Sequence, residues 1–271
     1  MWGTVAAIGV GVAVAATGFG IWLHHRRFVG YHRFKGLSPP PTTLAAWVAA
    51  DVLAYATLGW WHVRAFLGDG LRTPSEVRGR PVLCVHGYTQ NATNFHGLRR
   101  VLEAHGRPTV AVSLWHRLAP LPWYAHQLER RLEDLARRFP DGIDVVAHSM
   151  GGVILRMVLA AREDLRSAVH TVVTLGVPHR GTASARGIPL IPEVLALKRR
   201  SALLASLPPL TDLVPHGRVV AIAGDADNIV YPADSVLVPG AEAVVLPGVT
   251  HAGLLTTRSA HRAVREALDA T

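Results

Sequence analysis

The sequence has almost no cysteine. Cys84 is the only one in 271 residues, so no intrachain disulfide can form, and its place in the apolar run Val82-Leu83-Cys84-Val85 gives it the character of a packed strand residue rather than a reactive thiol. Negative charge is also scarce, with 19 Asp+Glu against 28 Lys+Arg. Such a surplus of positive charge can serve nucleic-acid binding, but residues 1–80 hold 8 Lys+Arg against 3 Asp+Glu, so more than half of it lies beside apolar N-terminal segments. Anionic membrane lipids suit that placement, and nucleic acid is not an expected partner. Repeats and low-complexity tracts are missing, and a hydrophobic content of 49% excludes a disordered chain.

Charge is wholly absent from Met1 to Leu23. At 1.5 Å of helix rise per residue such a stretch can cross a hydrocarbon core of about 30 Å. Trp2 and Trp22 stand near its ends and His24-His25-Arg26-Arg27 follows as a basic stop. No basic region precedes it, which favours a retained anchor over a signal peptide cleaved near Ala13-Val14-Ala15. A second segment, Leu44 to Val63, follows Pro39-Pro40-Pro41, carries Asp51 as its one charge and runs into Arg64. It reads either as a second span, the slightly preferred alternative, or as an amphipathic helix lying against the rest of the chain. The expected division is a membrane-anchoring region over 1–66, a linker over 67–80 containing Gly68, Gly70, Pro74 and Gly79, and one folded domain over 81–271. The membrane is read as a bacterial inner or plasma membrane. Arg26, Arg27, Arg33 and Lys35 should stay cytoplasmic, so two spans place the domain outside the cytoplasm and one span leaves it inside.

From Arg80 onward, short β-branched runs alternate with longer helical patterns, the mark of a mostly parallel sheet of about six strands flanked by helices. Strands are predicted over Pro81 to His86, Thr109 to Leu114, Ile143 to Ala147, Val169 to Leu175, Arg218 to Ala223 and Ala243 to Leu246. Helices are predicted near Phe95 to Ala104, Trp123 to Phe139, Met150 to Ala161 and Ala260 to Ala270. In such sheets reacting groups collect at the carboxyl ends of the strands.

One of those ends carries Ala147-His148-Ser149-Met150-Gly151-Gly152, followed at once by an apolar helix. A strand, a sharp turn and a helix force the serine into a strained backbone geometry, and small residues are needed on either side. Ala147 replaces the usual upstream Gly, and Gly151 keeps the downstream one. Ser149 is therefore the candidate nucleophile, with His148 and Gly151 supporting the turn. A serine needs a base, and in this chain order the acid and the histidine must follow it. Gly224-Asp225-Ala226-Asp227-Asn228 and Gly248-Val249-Thr250-His251 each follow a predicted strand. His251 is the candidate base. For the acid, Asp227 stands far enough past its strand to reach over the sheet end, and Asp225 remains the alternative, close enough to serve as a turn residue. The oxyanion needs two converging N–H donors, one from Met150 after the nucleophile and one from the loop after the first strand. There Gly87 permits close approach, the Tyr88 amide is the natural donor, and His86 orients the loop.

These segments resemble the small bacterial lipases of the α/β-hydrolase superfamily whose turn reads AHSMGG. Val85-His86-Gly87, Ala147 to Gly152, Thr174 to Thr182, Ala226 to Val230 and Gly248 to Leu255 are similar to lipase segments in the same order, across about residues 80 to 271. The resemblance implies an α/β-hydrolase fold, here preceded by N-terminal membrane helices. It also implies serine hydrolysis of carboxylic esters, lipid or other small acyl esters, through Ser149, His251 and Asp227, with the Tyr88 and Met150 amides as donors and with no metal or organic cofactor. An acyltransferase or thioesterase using the same triad, and a membrane-tethered binding protein that kept the fold without the activity, are the alternatives. Residues Ala183 to Pro215, rich in Pro and Leu, form a longer excursion than such enzymes need, either a lid or a packed insertion. Oligomeric state is open.

Overall fold

The computed structural model describes residues 22–23, 25–30, 44–66, 80–114, 119–187 and 191–270. Apart from its last two residues, the first expected span lies outside them, as does most of the expected linker.

Six strands form one sheet: β1 (Val82–Val85), β2 (Thr109–Val112), β3 (Ile143–His148), β4 (Val169–Leu175), β5 (Arg218–Gly224) and β6 (Glu242–Leu246). They run in the order β2-β1-β3-β4-β5-β6 and every pair is parallel. Parallel pairing requires crossovers on the faces, so inner strands are covered on both sides and read as continuous apolar runs. The Val-Leu-Cys-Val of β1, buried throughout, is such a run. Burial pushes the Cys84 thiol up to about 12, which leaves it a packing group.

Alternate side chains divide the sheet between two cores. Leu83, Val85, Val145 and Val172 point to one face, where α3 (Leu121–Arg138) and α4 (Met150–Ala161) supply Leu128, Leu132, Ile154 and Leu155. Val82, Cys84, Val146 and Val220 point to the other, against α2 (His96–Ala104), α8 (Gly253–Thr256) and α9 (Arg258–Asp269). α3 turns Leu121, Tyr124, Leu128, Leu132 and Leu135 inward at helical spacing, leaving Arg131, Arg137 and Arg138 exposed.

The second N-terminal segment forms α1 (Leu44–Phe66), and here the slightly preferred expectation of a second span is corrected in favour of its alternative, a helix lying against the rest of the chain. Among the described residues no helix is long and apolar enough to cross a membrane. α1 instead lies on the second core, to which it contributes Ala54 and Leu58, and packs against α8 and the 3-10 turn Ala92–Phe95. The physical reason is Asp51. A carboxylate costs about 2.5–3.5 kcal/mol at the centre of a lone span. In the fold its Oδ2 accepts from Asn228 Nδ2 at 2.9 Å and lies 3.0 Å from His25 Nε2. Trp47, one turn earlier, is buried with Phe28 and Tyr231.

The excursion is packed over its described residues, 183–187 and 191–215. It includes α5 (Pro192–Leu195), α6 (Ala202–Ser206) and α7 (Leu210–Leu213), and Leu197, Leu204, Leu210, Leu213 and Val214 join the first core. Arg156 of α4, almost wholly buried, staples it by donating to the carbonyls of Leu207, Pro208 and His179.

Candidate functional site

The strand order reverses between β1 and β3, and at that reversal the connections from the two strands diverge and open a crevice at their carboxyl ends. The loop after β1 and the turn after β3 meet there. Ser149 sits on that turn at φ 53°, ψ −129°, in the left-handed region that β-carbon sterics disfavour. It persists because its neighbours leave no alternative. A Cβ on Gly151 would stand 2.5 Å from the His86 carbonyl oxygen, and one on Gly87 would stand 2.8 Å from Ser149 Cβ. Glycine at both positions lets β1, its loop and the turn press together.

The loop after β1 is held by its own polar groups. Leu114 N donates to His86 Nε2 at 2.9 Å, so His86 Nδ1 carries the proton and donates to the Gly87 carbonyl at 2.8 Å. Burial pushes His86 down to about 4 and keeps it neutral. Gln90 Oε1 accepts from Gly87 N at 2.8 Å and lies 3.0 Å from His148 Nδ1, tying the loop to the serine turn. Asn91 and Asn94 cap each other's ends of the following 3-10 turn. Among the described residues neither the Tyr88 nor the Met150 amide has a hydrogen-bond partner. Met150 N opens α4, at the partly positive end of its dipole.

On the opposite side, the structure brings Asp227 and His251 together. His251 Nδ1 lies 2.8 Å from Asp227 Oδ2, both side chains being buried. Asp227 Oδ1 accepts from Ile229 N at 2.9 Å and Val230 N at 2.7 Å, so the carboxylate is fixed by backbone donors. Asp225 does something else: its Oδ1 accepts from Gly248 N at 2.6 Å and closes the turn after β6. With Nδ1–H directed at Asp227, the His251 lone pair is on Nε2. Ser149 and His251 line one cavity, and the Ser149 hydroxyl has no hydrogen bond among the described residues. His148 packs 4.6 Å from the His251 ring, and burial together with the charge that His251 can carry hold His148 well below the usual imidazole range.

Several participants were not singled out as site residues from sequence. Gln90 is the clamp just described. Gly176, at φ 55° after β4, leaves room for the acid and histidine, since a Cβ there would meet Asp227 Oδ2 at 2.9 Å and His251 Nδ1 at 3.1 Å. Asn228 carries the link to Asp51. The single signal for that link in the sequence is a lone carboxylate in an otherwise apolar helix.

The cavity has a volume of about 480 Å³. Ser149, Met150, Tyr88 and His251 line it; Pro178, Val194, Leu197, Ile229 and Val230 add apolar surface; α1 and the loop after β1 contribute as well. Thr182 and Ser184 also reach it, but both hydroxyls are engaged by the Ile229 carbonyl. Among the described residues no group of His, Cys, Asp and Glu side chains has an arrangement that could hold a metal ion.

Solved structures share this architecture. Lipase B of Aspergillus fumigatus superposes with a TM-score of 0.62 at 16% identity, over 73% of this chain and 55% of its own. The mature lipase BlEst2 of Bacillus licheniformis gives 0.55 at 16%, over 69% and 91%. Est1E from Butyrivibrio proteoclasticus gives 0.53 at 18%, over 72% and 89%. The chain thus spans about half the length of the Aspergillus enzyme. At such identities the likeness shows the fold alone, and that fold is the α/β-hydrolase fold with its parallel sheet flanked by helices. No curated protein sequence matches the chain. The sequence profile of the palmitoyl protein thioesterase family does, over residues 81–221, which include β1, the serine turn and most of β5. That match covers just over half of the 271 residues, and the chain belongs to the palmitoyl protein thioesterase family.

Proposed function

We propose that the protein is a serine hydrolase of acyl esters in which Ser149 is the nucleophile, His251 the general base and Asp227 the acid that orients it. One observation carries this reading: a histidine locked onto a backbone-fixed carboxylate shares a cavity with a serine held at positive φ on the strand–helix turn. His251 Nε2 takes the Ser149 proton as Oγ bonds to the ester carbonyl carbon. The tetrahedral oxyanion is met by the Tyr88 and Met150 amides, and collapse expels the alcohol, which leaves with the proton from His251. Water then repeats the sequence on the acyl-enzyme, releasing the acid and restoring Ser149. His148, kept neutral, adds no competing charge beside the imidazolium.

The test is direct. Ser149→Ala should abolish ester turnover with the fold intact, and Asp227→Asn should lower kcat by about four orders of magnitude, as loss of the orienting acid does elsewhere. A fluorophosphonate should label Ser149; labelling at another residue, or full turnover by Ser149→Ala, would sink the assignment.

A thioester substrate is the second reading, and the family match favours it. The acyl half of the reaction is the same, so the distinction lies in the leaving group and is read by pairing oxygen and sulfur esters of one acyl chain. The reading also includes work at a lipid surface. It is supported by the uncharged run Met1 to Leu23 and by the outward side chains of α1, where Leu53 is 70% and Trp60 58% exposed.

A further inference from the structure

α1 precedes the stretch that matches the family profile, yet it reaches the cavity. Tyr55, Leu58, Gly59 and His62 line the space above Ser149 and His251. Their spacing of three, four and seven residues puts them on one stripe of the helix. An adjacent stripe, Trp47, Asp51, Ala54 and Leu58, is buried in the domain and fixes how the first stripe is aimed. The Asp51–Asn228 hydrogen bond reaches the residue next to Asp227, so the helix is pinned beside the acid. The His62 ring is tied back to the Leu58 carbonyl at 2.7 Å, which keeps it on the helix surface and out of the space beyond.

Gly59 is the informative member. Glycine is a poor helix former, about 0.8–1.0 kcal/mol worse than alanine in a helix interior. At this position no close packing compels it, since a Cβ would meet nothing within 4 Å. What its missing side chain leaves is room, on the face that lines the cavity. Val194 and Leu197 of the excursion line the same cavity, so apolar side chains from two separate elements border it, as suits a hydrocarbon chain.

We propose that α1 is the specificity-determining wall of the acyl pocket, and that the gap at Gly59, bordered by Tyr55 and Leu58, sets the length of acyl chain accepted. This rests on the acyl-hydrolase reading, for which it names the part of the substrate that is selected. One methylene in an apolar pocket discriminates by about 10–200-fold, so a side chain placed in the gap has a large effect on the chains that occupy it.

The experiment compares kcat/KM for p-nitrophenyl esters from butyrate to palmitate, using the full chain and two variants. Gly59→Phe should lower the ratio of laurate to butyrate specificity by about tenfold or more. Tyr55→Ala, which removes a ring already 39% exposed, should raise the same ratio, and it keeps the test open if the first variant does not fold. Ratios within about twofold of the parent in a variant that still labels at Ser149 overturn the wall while leaving the hydrolase standing. A parent chain that neither turns over esters nor labels at Ser149 overturns the hydrolase reading itself, and the wall with it.

Discussion

His86 is held neutral from both ends of its ring, by the Leu114 amide on Nε2 and the Gly87 carbonyl on Nδ1. Burial pushes it from 6.5 down to about 4, and burial beside Arg156 pushes His179 down to about 3. In the unfolded chain both would gain protons near pH 6.5 that the folded chain refuses. Unfolding is therefore favoured as pH falls, and stability should be level above pH 6.5 and decline from there toward pH 4, with a ceiling of about 3 kcal/mol from His86 alone. Thermal melts across that range would show it. His86→Asn should decline less steeply than the parent, and equal slopes would contradict the account. At this same scale, the placement of Ser149, Asp227 and His251 at one end of the sheet was legible because each follows a strand at a spacing that topology constrains. Gln90 and Asn228 were not, since their partners His148 and Asp51 lie 58 and 177 residues away and no local pattern registers such pairings.

Among the elements, the six strands were legible as short apolar runs, with observed ends within about two residues of those predicted, as boundary reading allows. α1 was legible as a helix and not in its placement. A span and a docked helix have similar composition, and the choice turns on whether the one carboxylate finds buried partners, which is a tertiary fact. Asp51→Ala tests the joint. It leaves the Asn228 amide and His25 imidazole buried without their acceptor, which should cost about 1–3 kcal/mol. Denaturant unfolding would measure that loss, and hydrogen exchange should show the amides of 44–66 losing protection ahead of the sheet. Unchanged exchange in α1 would mean that its apolar face alone holds it.

For the molecule as a whole, docking of α1 favours the second of the two alternatives left open for that segment and leaves the uncharged run Met1 to Leu23 as the segment for which an anchor is proposed. We propose that this segment is a single span, in which case the cations Arg26, Arg27, Arg33 and Lys35 would keep the folded domain on the cytoplasmic side. A reporter fused after Thr271 should accordingly be active in the cytoplasm, and deletion of residues 1–21 should move the protein from the membrane to the soluble fraction. An extracytoplasmic signal, or a deletion that stays with the membrane, would refute this arrangement.

The helical residues 25–30 insert His25 beside Asp51 and Phe28 against Trp47 and Tyr231. Residues 25–30, α1 and the loop that carries Asp227 and Asn228 are thus bound into one joint, with no slack between them. Were the chain anchored by the uncharged run before this joint, as proposed, the site would sample a layer of fixed height instead of a volume. Its encounters with substrate would then become two-dimensional, set by how fast acylated molecules drift sideways along the same bilayer, and its effective specificity would include membership of that surface as well as the shape of the pocket.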